Sequence, residues 1–125
     1  MNTKNKGTLT EAKCLAYLAS ISDEVLVPFG DRMPFDLVYI RDNLFYKVQC
    51  KYSSVKTASE AYEVNLRVSG GNKSRTTNKL YSPNDFDYLY IETLEDSYFI
   101  PWNLINGITK ITVSKNNKYS KYIIT

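Results

Sequence analysis

The chain has 125 residues, 43% apolar side chains and a net charge of +3, enough length for one domain with its own core and too little for two. It contains no histidine, which excludes Ser-His and Cys-His nucleophile pairs and imidazole metal sites, and two cysteines are too few for a structural zinc. No apolar run approaches the roughly 18 residues of a membrane span, and Cys14 and Cys50 behind a polar start with no secretory leader read as reduced thiols of a cytoplasmic protein.

Thr8 to Ser20 is predicted to be helical, with Leu9, Ala12, Ala16 and Ala19 as good formers and Cys14, Leu15 and Leu18 as its apolar stripe. The period then changes. Glu24 to Val27, Phe35 to Ile40, Leu44 to Lys51, Tyr62 to Val68, Tyr88 to Glu92 and Ser97 to Pro101 are short, rich in Val, Ile, Tyr and Phe, and punctuated by turn residues. A helix followed by such strands predicts an α/β (α+β) fold with a mixed β-sheet.

Charge is unevenly spread along this pattern. Asn43 to Ser82 carries seven basic residues against two acids, Pro83 to Leu104 five acids and no base, and the tail from Ile105 four lysines and no acid. Residues 69–84 lack apolar periodicity and carry Lys73, Arg75 and Lys79 among Gly, Ser, Thr and Asn, which predicts a long loop with the charge to follow a phosphate backbone. A solvated loop with ordinary surface lysines would look the same. The alternation Asp85-Phe86-Asp87-Tyr88 reads as the outer side of a strand, and Tyr88, Tyr90 and Tyr98 are candidates for an assembly surface or for core packing.

Three stretches carry candidate chemistry. In a strand over Leu44 to Lys51, Tyr46, Val48 and Cys50 point into a core, and Phe45, Lys47, Gln49 and Lys51 point the other way. The short Arg41-Asp42-Asn43 turn should fold this strand back on Phe35 to Ile40 as a hairpin, bringing Asp36 near Gln49 and Lys51. Asp36 after Pro34 could instead bond its own turn, and Gln49 and Lys51 could simply be solvated. Glu11 shares the helix stripe with Cys14 and Leu18 and so points at the sheet, although Thr8 with Glu11 also forms a capping-box pattern.

Gly7-Thr8-Leu9-Thr10-Glu11, then Pro34-Phe35-Asp36, then Gln49-Cys50-Lys51, resembles the PD-(D/E)XK nuclease superfamily with its restriction-endonuclease-like core. Within it the chain is similar to the small homing endonucleases of group I introns in bacterial tRNA genes. Their Gln-x-Lys variant, Pro-Phe-Gly-Asp stretch and Ile-Pro pair have counterparts at Gln49 to Lys51, Pro28 to Asp31 and Ile100-Pro101. The likeness runs from about Lys4 to Trp102, and Gln49 stands where Asp or Glu is usual.

The resemblance implies one nuclease domain over residues 1–125 with a basic DNA-contacting loop, cutting both strands of duplex DNA at a specific sequence with Mg2+. It implies that the ion takes Asp36, the Cys50 backbone carbonyl and the Gln49 side chain, with Glu11 acting through a water and Lys51 orienting the attacking water or serving as base. Lys56, Arg67, Lys73, Arg75 and Lys79 are the expected DNA contacts. Cutting both strands needs two sites, hence at least a homodimer, and the intron-encoded relatives imply a homotetramer. A junction-resolving or restriction nuclease of the same fold, and a non-catalytic DNA-binding module, are the competing readings.

Overall fold

The computed structural model describes residues 2–67 and 80–125. Most of the expected basic loop, with Lys73, Arg75 and Lys79, lies outside the described residues.

Helix α1 runs over Thr3–Ile21, longer at the N-terminus than its apolar pattern predicts. Its cap is Asn2, whose side chain accepts from the Asn5 N–H at 2.9 Å. The capping box at Thr8 is therefore not used: the Thr8 hydroxyl donates to the Lys4 carbonyl, and Glu11 lies in the helix interior. The buried stripe runs through Thr10, Cys14 and Leu18, flanked by half-buried Tyr17 and Ile21; Leu15, expected inside, is 39% exposed.

Five strands form the main sheet in the order β1-β2-β3-β5-β6: β1 Glu24–Leu26, β2 Leu37–Arg41, β3 Leu44–Tyr52, β5 Tyr88–Glu92 and β6 Ser97–Pro101. Only β3 and β5 run parallel, so the sheet is mixed, as expected. Asp42 and Asn43 both have positive φ (52° and 66°), the conformation of a two-residue hairpin turn whose twist matches the strands, and they set the pairing Arg41↔Leu44.

The segment expected as one strand from Tyr62 to Val68 ends at Asn65 and leaves the main sheet. As β4 (Tyr62–Asn65) it pairs antiparallel with β7 (Lys110–Val113) in a separate two-stranded sheet. This small sheet supplies Tyr62, Val64, Ile111 and Val113 to a core shared with Leu89, Ile91, Tyr98 and Ile100 of β5 and β6. The opposite face of the main sheet meets α1 through Cys14, Leu18, Leu37, Tyr39, Val48 and Tyr90.

Tyr90 and Tyr98 are thus core residues, and Tyr88 stacks on Phe99 with centroids 4.5 Å apart. Asp85 and Asp87 precede β5 rather than alternate along it. Asp85 accepts from the Ser82 N–H and Asp87 from the Lys47 N–H, so they tie the turn into β5 to its surroundings.

Leu18 is fully buried in the core under α1. Leu18→Ala is expected to cost about 2–5 kcal/mol of unfolding free energy, read from the midpoint of chemical denaturation at unchanged slope.

Candidate active site

β3 outruns its partner. Pairing with β2 ends at Leu37↔Val48, while β3 continues to Tyr52. The Asp36 N–H still donates to the Val48 carbonyl at 2.8 Å, and then the chain turns away. The Cys50 N–H faces the gap so created, and Asp36 Oδ2 accepts from it at 2.9 Å. Asp36 is therefore held across two strands, and the local turn bond conceivable from Pro34-Phe35-Asp36 does not form.

Register with β5 decides where the next side chains go. Gln49 is paired with Leu89 and Lys51 with Ile91, so both point to the side where those residues enter the core beneath the small sheet. That explains why Lys51 is half-buried rather than solvated. Its ammonium donates to the Arg67 carbonyl at 3.4 Å and lies 5.2 Å from the centre of the Tyr81 ring. Cys50, pointing the other way, meets Cys14 of α1; a hydrogen bond with Cys14 and burial push its thiol pKa up.

The Gln49 amide can be placed two ways. One terminus lies 3.1 Å from both the Pro34 carbonyl and Asp36 Oδ2, the other 3.3 Å from the Tyr81 hydroxyl. With nitrogen inward it donates to both oxygens and accepts from Tyr81. With oxygen inward, Nε2 donates to Tyr81 and three oxygens face one another.

Electrostatics tie the set together. Burial raises the Asp36 pKa, opposed by the Cys50 N–H and by Lys51. Glu11 is raised by burial and then by the Asp36 charge, which places this helix acid within electrostatic reach of Asp36. Lys51 is lowered by burial, and Asp36 opposes the change. Tyr81 is pushed up to about 12, by burial and then by Asp36.

While Glu11, exposed on α1, lies within electrostatic reach of Asp36, the fold thus brings Asp36, Gln49, Cys50 and Lys51 to the place where β2 parts from β3. It does not bring Lys56 there: that ammonium pairs with Glu60 at 2.6 Å and Glu95 at 3.1 Å. Arg67 touches the site through its carbonyl, and its N–H donates to the Asn65 side chain at 2.9 Å. Tyr81 was missed in the sequence, where it reads as one apolar residue at the end of a polar loop. Only the fold shows that it touches both Gln49 and Lys51.

Among the described residues no three acidic or thiol groups converge on one point. The oxygens at hand are two carboxylates that repel each other, one amide and one backbone carbonyl. This hard, oxygen-only donor set fits Mg2+, which keeps several waters and needs few protein ligands.

Residues 1–121 match the PD-(D/E)XK endonuclease family. The chain belongs to this family. It is 31% identical to Protein 5.3 of Escherichia phage T7 over 94 residues, 75% of each chain. Its fold is similar to that of the bacterial homing endonuclease I-Ssp6803I, with a TM-score of 0.81 and 26% identity over 98% of this chain and 89% of that one. The chain is a nuclease acting on DNA, with a restriction-endonuclease-like α+β fold. Among the described residues no helix is long and apolar enough to cross a membrane.

Replacing Glu11 by Gln removes a charge that Asp36 repels. In the presence of a chelator, Glu11→Gln is expected to raise the denaturation midpoint above that of the parent chain. The further rise produced by millimolar Mg2+ should be smaller than in the parent, because one oxygen of full charge is gone. An undiminished Mg2+ response would separate Glu11 from the cation.

Proposed function

We propose that this chain is a Mg2+-dependent endonuclease of the intron-homing type that makes a sequence-specific double-strand break in DNA. The observation that carries the reading is the meeting of Asp36, Gln49 and Lys51 where two strands diverge, with Glu11 of α1 within electrostatic reach of Asp36. Similarity to a bacterial homing endonuclease over 98% of the chain supports the finer part of it.

Asp36, the Gln49 amide oxygen and the Cys50 carbonyl would hold the cation directly, with Glu11 contributing through a water from the helix side. A bound divalent ion supplies charge that polarises the scissile phosphate and makes a coordinated water more acidic.

The chain's own groups do the rest. Asp36 is already fixed by the Cys50 N–H, so it need not reorganise to accept a cation. Lys51 points to the same side of β3 as Gln49 and is half-buried. Its ammonium can donate to the phosphate oxygens as negative charge grows there. Because burial favours its neutral form, it can also take a proton from the attacking water.

Double-strand cleavage requires two such sites, so the working form is at least a homodimer, and a tetramer would cover a longer target. Residues 69–84, with Lys73, Arg75 and Lys79, together with Arg67 would track the duplex. Lys56 is placed less favourably for this, since its charge is shared with Glu60 and Glu95.

The decisive experiment compares the parent chain with Asp36→Asn and Lys51→Ala on a plasmid library with Mg2+. Asp36→Asn is expected to abolish cleavage while binding target DNA nearly as well as the parent. Lys51→Ala should lower the single-turnover rate by roughly 10²–10⁴-fold. Retained cleavage by Asp36→Asn would refute the ligand role.

A further inference from the structure

We propose that Tyr81 is a positioning residue that allows the neutral Gln49 to serve a cation, by exchanging the direction of its hydrogen bond when the amide turns over. This rests on the metal-dependent reading above and adds to it a residue outside the Asp, Gln-x-Lys and helix-acid set.

Gln49 differs from a carboxylate in having one donor end and one acceptor end. Nitrogen inward gives the better hydrogen bonding, since the amide then donates to Pro34 and Asp36 and accepts from Tyr81. A cation beside Asp36 demands the reverse, oxygen inward. The amide N–H groups then lose both inward acceptors, and among the described residues the Tyr81 hydroxyl at 3.3 Å is the acceptor left to Nε2. A hydroxyl is suited to this because it donates in one state and accepts in the other without moving. A side chain that only donates or only accepts would favour one orientation and penalise the other.

The ring is built to stay in place while the bond reverses. Tyr81 is 6% exposed and is held edge-on by Phe86, with centroids at 5.1 Å, and by Trp102 at 6.0 Å. Trp102 is itself fixed by donating from Nε1 to the Ser82 carbonyl at 3.0 Å. Lys51 lies over the face of the same ring. One aromatic side chain thus contacts both Gln49 and Lys51.

Tyr81→Phe keeps the ring and removes only the hydroxyl. Each orientation loses one bond. The nitrogen-inward amide keeps both N–H bonds and is left with an under-satisfied carbonyl oxygen. The oxygen-inward amide is left with N–H groups that have no acceptor among the described residues, the costlier loss, so the change should weaken cation binding selectively. Mn2+ binding to the full chain without DNA, followed by the electron paramagnetic resonance of the free ion, reads this directly. The expected result is an affinity about tenfold lower for Tyr81→Phe than for the parent.

The control is the same change on a Gln49→Glu background. A carboxylate has no donor end to orphan, so Tyr81→Phe there should change Mn2+ affinity by no more than about threefold. A loss confined to the glutamine background supports the proposal. An unchanged Tyr81→Phe variant, or equal losses on both backgrounds, overturns it and leaves the nuclease reading standing. A parent chain that binds no Mn2+ and cuts no DNA with it overturns both.

Discussion

Where β2 stops pairing with β3, the Cys50 N–H points into the space the departing strand has left. Asp36 fills that need with a carboxylate oxygen at 2.9 Å. A buried N–H without a partner costs about 1–3 kcal/mol, so the strand divergence and the acid stand or fall together. The same bond that lets the sheet split fixes the orientation of the carboxylate. The carboxylate is steadied by a backbone donor, and the Cys50 carbonyl belongs to the strand itself. Preorganisation at this point comes from secondary structure itself.

β3 is shared by two cores, and this gives the site its mixed character. Val48 and Cys50 belong to the layer under α1, while Gln49 and Lys51 follow Leu89 and Ile91 to the other side. Glu11 approaches from the helix layer and Lys51 from the layer under the small sheet, with Asp36 within electrostatic reach of each. The Asp36 charge opposes ionisation of Glu11, and burial disfavours every charge in the set. A divalent ion among these oxygens would relieve the repulsion between Glu11 and Asp36. It would also make the neighbouring Lys51 easier to deprotonate. Burial and the repulsion between the acids are thus what a bound cation would offset.

Much of this was legible in the chain because it depends on local rules. The Asp42-Asn43 turn fixes the hairpin, the hairpin brings Asp36 to Gln49 and Lys51, and period-two alternation puts Cys50 on the opposite side. Helix periodicity put Glu11 on the inward stripe, yet it is exposed beside Thr10 and Cys14 and only within electrostatic reach of Asp36, and local pattern misplaced the helix start. Asn2, six residues before Thr8, supplies the cap instead, which frees Glu11 from a capping duty. Long-range pairing was not legible. Tyr62 to Asn65 has a sound strand pattern, yet nothing local says that its partner is Lys110 to Val113, or that the pair forms its own layer. Tyr81 was hidden for the same reason: its role comes from Phe86, Trp102, Gln49 and Lys51 meeting around it, across separations of up to 32 residues for the Gln49 bond.

The charge distribution also changes meaning once the fold is known. The basic excess between Asn43 and Ser82 includes Lys47, whose ammonium donates to the Asn84 carbonyl at 2.6 Å, and Lys51, turned toward Tyr81 and the Arg67 carbonyl. It also includes Lys56, set between Glu60 and Glu95. Lys115, from the basic tail, reaches Glu95 as well, at 3.7 Å. These cations already have partners within the chain. A phosphate would have to displace those partners rather than only the condensed counterions that each fresh contact releases. Counting lysines along the sequence therefore overstates the field that this part of the surface presents to a duplex. Lys51 stands apart from the others in being half-buried between the Tyr81 ring and the Arg67 carbonyl, where water screens its charge less.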